Sequence, residues 1–293
     1  MNFKELSRTT GGAVTGILIV SLLGACSGKD STLPKVITDL KIDNTPIRNI
    51  KAGISPDFKI SYLGGLYDKF LNEKDGVEDR LKAIADNISL ILDSKGGGND
   101  GTALRIDENG TYLTLGELLT TKRDGKNIVN TATAALNLKT GNITTAQEAF
   151  VSLPGNIALI HAPSNQRSKA VENIAFDDKE LKPKDNVWLI SIAYDAKSDR
   201  YDMRIMPTKV AERPSSVPNK LKDFLFLENV DLESTMGGGV VVNSEGKIVG
   251  LIKSLVIQTS VESDAVHKFV LAVPIKNYLS LLNNAAKVSL PKS

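Results

Sequence analysis

The chain has 293 residues, of which 36 are basic and 34 acidic, for a formal charge of +2. At 41% apolar and 24% charged it is composed like a soluble globular protein, long enough for one large domain or two small ones with an ample core. The near-neutral balance and the 5% aromatic content argue against nucleic acid, because there is no basic run with interleaved aromatics and there are few rings for bases to stack on.

Lys4 and Arg8 precede an apolar run from Ala13 to Leu23 that is broken only by small or hydroxyl residues. A basic stretch, a short apolar stretch and small residues beyond it describe a secretory leader, too short to span a bilayer comfortably. The run ends Leu23-Gly24-Ala25-Cys26, which resembles the bacterial lipobox. The resemblance implies that residues 1–25 are a lipoprotein signal peptide and that Cys26 is the lipidation site, its thiol taking a diacylglycerol and the new amino terminus a further acyl chain such as palmitate. Two or three chains anchor a protein stably to a membrane. Ser27 follows the cysteine where an Asp is absent. In a Gram-negative cell that implies the outer membrane, facing the periplasm. An ordinary leader with a chance cysteine and an uncleaved anchor are the alternatives. With no second cysteine, the mature chain forms no internal disulfide.

Residues 26–75 read as a tether and an amino-terminal extension. Ser27 to Pro34 is polar, Val36 to Ile42 alternates like a short strand, and Asn44, Pro46, Gly53 and Pro56 mark loops. Glu73 to Asn87 carries Val77, Leu81, Ile84 and Ala85 at helical spacing. Ile88–Leu92 reads as a strand, Lys95–Gly101 as a loop, and Thr102–Thr114 as a hairpin turning at Asn109-Gly110. Further strands are expected at Ile128–Leu138, Thr144–Val151, Asn156–Ile160, Val187–Ala193, Met203–Val210, Phe224–Val230, Gly239–Val242, Ile248–Ile257 and Lys268–Val273. Pro274–Ala286, with Ile275, Tyr278, Leu279 and Leu282 on one face, is expected to be helical. Many short strands at near-even spacing indicate an all-β sandwich or barrel. This domain is expected over 76–287, with 288–293 as a tail.

Four stretches in order resemble the trypsin-like, chymotrypsin-fold serine proteases of the HtrA/Deg type. Gly101-Thr102-Ala103-Leu104-Arg105-Ile106 through Thr114 is similar to the hairpin that leads into the family's catalytic histidine. Asn156-Ile157-Ala158-Leu159-Ile160 is similar to the strand that opens on the catalytic aspartate. Ser234-Thr235-Met236-Gly237-Gly238-Gly239-Val240, then Asn243-Ser244-Glu245-Gly246, is similar to the segment around the nucleophile. Phe269–Ile275 resembles the strand before the carboxy-terminal helix. The resemblance covers about Ile88 to Ala286 and implies a chymotrypsin-like double β-barrel, with a short amino-terminal helix, a carboxy-terminal helix and no PDZ-like region after it.

Carried over residue by residue, the resemblance puts the histidine position at Glu117, the aspartate position at Asn156 and the serine position at Gly237, or at Met236 with one residue inserted. The mechanism needs a hydroxyl nucleophile, an imidazole and a carboxylate, and none of the three positions carries its group. The resemblance therefore implies a pseudoenzyme: the fold without the reaction. Backbone N–H groups of Gly237 and Gly238 remain candidates for an oxyanion hole, or the glycines serve only to let the turn pack. Ser234 or Thr235 with a displaced histidine would make a rearranged serine endopeptidase, against the plainer reading of two polar turn residues. His161 and His267 both fall away from the expected place. No cofactor is expected, and no metal, since Asp177-Asp178 and Glu180 read as a solvated loop. The implied partner is a peptide or an envelope protein, with the membrane reached through Cys26. A structural envelope lipoprotein that binds through residues 27–75 is the third reading.

Overall fold

The computed structural model describes residues 77–93, 100–123, 126–129, 133–138, 141–146, 148–152, 156–163, 174–195, 200–214, 221–228, 234–259 and 266–279, with the short pieces 17–18, 35–37 and 61–62 and the single positions 217, 230, 232 and 282. Cys26, the tail 288–293 and most of the segment 27–75 lie outside the described residues.

Three short strands come first, β1 (Ile17–Leu18), β2 (Lys35–Ile37) and β3 (Ser61–Tyr62), followed by helix α1 (Val77–Asp86). The helical spacing read from the sequence is the buried face: Val77, Leu81, Ile84 and Ala85 are all buried. Asn87 stops the helix. Its side-chain amide donates to the Ala83 carbonyl at 2.9 Å, and its own carbonyl accepts from Arg105 N–H at 2.8 Å. Burying a leucine or isoleucine stabilises by about 1.5–3 kcal/mol, so Leu81 and Ile84 bind this helix to the sheets more strongly than helix propensity does.

The amino-terminal sheet is built from β4 (Ile88–Asp93), β5 (Gly101–Arg105), β6 (Thr111–Thr114), β9 (Thr133–Leu136), β10 (Ile143–Thr145), β11 (Glu148–Ser152) and β12 (Ile157–His161), in the order β10-β9-β4-β5-β6-β12-β11 with β2 on the outer edge. The expected hairpin is β5–β6, and Gly110 takes the left-handed conformation that its turn requires, at φ +90°. A separate ribbon pairs β7 (Thr120–Arg123) with β8 (Lys126–Val129). The expected single strand Ile128–Leu138 is therefore corrected: its two halves, β8 and β9, belong to different sheets. Gly101, expected in a loop, begins β5.

The carboxy-terminal sheet runs β15-β18-β17-β16-β13-β14-β3, from β13 (Asn186–Asp195), β14 (Arg200–Lys209), β15 (Leu225–Leu227), β16 (Val240–Asn243), β17 (Ile248–Thr259) and β18 (Val266–Pro274), and β1 pairs with the far end of β17. Both sheets are curled, and apart from β3 their pairings are antiparallel. One cluster of buried side chains spans them, with Leu90, Leu104 and Leu113 from one sheet, Trp188, Ile190 and Val240 from the other, and the α1 face between. Arg80 of α1 donates to the Glu245 carbonyl in the turn after β16, and Gly246 closes that turn at φ +77°. In this exposed turn Lys247, hydrogen-bonded beside Glu245, holds its carboxyl below the usual carboxylate range.

The fold class is thus all-β with α1 added. Of the expected carboxy-terminal helix Pro274–Ala286, the described residues show a 3-10 turn, Ile275–Tyr278, followed by helical residues at Leu279 and Leu282. Ile275 and Leu282 are buried, as the apolar spacing implies. No helix among the described residues is long and apolar enough to cross a membrane.

Candidate functional site

Glu117 lies in a 3-10 turn, Gly116–Leu119, that follows β6 directly. Gly116, Leu118 and Leu119 are buried, and Glu117 is the charged side chain of the turn. Asn156 sits just before β12 with φ +51°, a conformation Asn adopts more readily than most residues. Its Oδ1 accepts from Glu117 N–H at 2.9 Å, so the positions read as histidine and aspartate are adjacent. The side chains of this pair are not fully used: Asn156 Nδ2 and Glu117 Oε1 are buried without a hydrogen-bond partner among the described residues.

The other carboxylate oxygen of Glu117 accepts from Lys253 Nζ at 2.7 Å. Both side chains are largely withdrawn from water, 11% exposed for Glu117 and 21% for Lys253. Lys253 belongs to the opposite sheet, and its direction has a local cause. In the pairing of β17 with β18, Ile252 faces Ala272 and Ser254 faces Leu271, so Lys253 is the extra residue of a β-bulge. A bulge bends its strand and re-aims one side chain. The ammonium also lies 5.6 Å from the centre of the Phe224 ring, within cation–π range.

The glycine run approaches the same seam through its backbone. Thr102 N–H donates to the Gly237 carbonyl at 2.8 Å, across from one sheet to the other. Gly238 is held at φ +85°, and a Cβ there would fall 2.1 Å from the Thr102 carbonyl oxygen and 2.5 Å from Thr114 Oγ1. Only glycine fits. Its N–H donates to the Ile252 carbonyl at 2.9 Å and is engaged within the fold. A Cβ on Gly101 would meet Leu118 at 2.4 Å and the Gly237 carbonyl oxygen at 3.0 Å. Leu118, next to Glu117, thus stands against the glycine turn, and Glu117, Asn156 and Gly237 gather along one seam.

Met236 is fully buried, in the apolar cluster of the carboxy-terminal sheet with Leu189 and Val241. Thr235 is also buried, and its Oγ1 accepts from Tyr194 N–H at 3.0 Å. Ser234 begins the 3-10 turn Ser234–Met236. His161 ends β12, with Nδ1 buried and without a partner, and His267 lies in β18. Among the described residues no group of three or more His, Cys, Asp and Glu is placed to hold a metal ion. Asp177 is tied into the fold instead, accepting from Asn243 Nδ2 at 2.9 Å.

Three contributors escaped sequence reading. Lys253 is one, hidden because its bulge is invisible without β18. The other two are buried hydroxyls from facing sheets. Thr102 Oγ1 lies 3.0 Å from Ser191 Oγ and donates to the Thr235 carbonyl at 2.9 Å, while Ser191 Oγ donates to the Met236 carbonyl at 2.8 Å. Threonine and serine inside strands gave a signal only in being polar at positions that alternation assigns to the core. Chemically, the seam holds one buried ion pair, a buried amide and engaged main chain, with no nucleophile beside an imidazole. No protein-family model matches the chain, and no curated protein matches it.

Proposed function

We propose that the chain is a trypsin-like pseudoprotease of the bacterial cell envelope, a chymotrypsin-like double β-barrel anchored through lipid on Cys26, that binds an extended peptide or partner protein without cleaving it. The observation that carries the reading is the Asn156–Glu117 hydrogen bond beside the Gly237 backbone. Positions chosen from sequence as aspartate, histidine and serine, far apart in the chain, lie along one seam and carry an amide, a carboxylate paired to Lys253, and glycine. Acyl transfer needs a hydroxyl or thiol, a base and a group that orients the base. A buried ion pair in their place favours shape over turnover.

Strand addition suits such a frame, because it uses main-chain groups and side-chain pockets rather than a triad. β16 pairs with β17 only between Ile248 and Leu251, and β18 accompanies β17 to Thr259. Among the described residues the far half of β17 therefore has β18 on one side and, on the other, the two-residue pairing with β1, which lies inside the leader that lipidation at Cys26 removes. An extended partner would dock along that edge, past Lys253.

The test uses the full chain in non-ionic detergent. A fluorophosphonate probe is expected to leave it unlabelled, and an envelope extract is expected to yield a bound peptide or protein that a proline in the β17 edge, Val256→Pro, releases. Labelling that disappears in Ser234→Ala or Thr235→Ala would instead establish the rearranged endopeptidase. Incorporation of a palmitate analogue, lost in Cys26→Ala, checks the anchor separately.

A further inference from the structure

A cavity of about 420 Å³ opens on the outer side of the carboxy-terminal sheet, where the segment before β13 meets the segment before β15. Its size is that of a small-molecule site. Four cationic side chains and three carboxylates line it. The carboxylate Asp177 is occupied by Asn243 and by Lys179 N–H, and Lys179 itself pairs with Glu245. Arg213, Lys222 and Lys276 are exposed and none joins an ion pair among the described residues, although Arg213 donates to the Phe224 carbonyl at 3.5 Å. They come from three separate segments, so no single local sequence run explains their convergence. Glu180, Asp223 and Asp177 are the carboxylates of the lining, so its four cations outnumber them by one.

Leu181, Phe224, Leu225, Val249 and Pro274 add apolar side chains to the lining. Val249 reaches it because the β16–β17 pairing passes from Val241 opposite Gly250 to Val242 opposite Ile248, which makes Val249 a bulge residue. A guanidinium fork and two ammonium groups beside these apolar side chains match a dianion attached to a hydrophobic group. A monocarboxylate would use one of the three cations, whereas a phosphoryl group has oxygens for all of them.

We infer that this cavity binds a phosphomonoester with an apolar substituent, held by Arg213, Lys222 and Lys276, a site separate from the proposed peptide edge. Phe224 joins the two regions, since its ring lines the cavity and also lies against the Lys253 ammonium.

The probe is phenyl phosphate, titrated calorimetrically into the full chain in non-ionic detergent, with inorganic phosphate as competitor and phosphatidic acid vesicles as a second arm. Binding is expected, with competition by phosphate, a loss of at least tenfold in Arg213→Ala and in Lys276→Ala, and a severalfold gain in Asp223→Asn. All three side chains are exposed, so unchanged thermal melting serves as the folding control. Retention of the unlipidated Cys26→Ala chain on detergent-free phosphatidic acid vesicles that a further Arg213→Ala abolishes, without phenyl phosphate binding, assigns the phosphoryl group to a lipid headgroup. Absence of binding in both arms overturns the inference. So does binding that Arg213→Ala and Lys276→Ala leave unchanged.

Discussion

Glu117 and Met236 stand on the two sides of one seam, and their surroundings differ in kind. Glu117 is a nearly buried carboxylate that draws its counter-charge from the opposite sheet, while Met236 is fully buried among side chains of its own sheet. Charge placed at an interface between sheets requires a partner and so links them. Hydrocarbon placed there requires only volume. One side of the seam is therefore specified by a pairing across the molecule and the other by local packing, and the two should respond differently to substitution.

The largest expected effect is at the apolar side. Met236→Ser, which restores a hydroxyl near the glycine run, leaves a cavity and buries a polar group, with a loss of about 3 kcal/mol. The midpoint of urea unfolding measures it, and fluorophosphonate reactivity is expected to stay absent. Reactivity gained by this one change would break the comparison, since it would show a base already waiting. On the polar side, Lys253→Met strands the Glu117 carboxylate and is expected to cost about 2 kcal/mol, below the range for fully buried pairs because both groups keep some water. Adding Glu117→Leu should recover most of that loss, and a double-mutant cycle reads the coupling. Independent costs for the two changes would deny the pairing any role. The smallest effect belongs to Asn156→Gly, which keeps the left-handed backbone accessible but removes the acceptor of Glu117 N–H. About 1 kcal/mol of stability should go with that hydrogen bond, and amide exchange at Glu117 should quicken.

Local pattern carried much of the fold. Val77, Leu81, Ile84 and Ala85 announced α1 because a helix repeats within four residues, and Asn109-Gly110 announced a turn whose geometry few other pairs accept. Where several elements competed for the same residues, pattern was ambiguous. Apolar residues from Ile128 to Leu138 read as one strand although two sheets share them, and the helix read from Ile275, Tyr278, Leu279 and Leu282 opens as a 3-10 turn over Ile275–Tyr278. At the seam, Glu117 and Asn156 were reachable because each begins or follows a recognisable strand. Lys253, Thr102 and Ser191 were not, since their meaning lies in contacts 136 and 89 residues away along the chain.

The extra residue at Lys253 has a further consequence. In an uninterrupted strand, odd and even positions hold opposite faces throughout, so a residue's parity tells its side. An inserted residue reverses that phase: beyond Lys253, positions that would have shared a face with Leu251 share one with Ile252 instead. Deleting Lys253 would therefore do less than its place mid-strand suggests: Ile252 already stands opposite Ala272 and Ser254 opposite Leu271, so the register of β17 on β18 would survive while the ammonium group and the bend were lost.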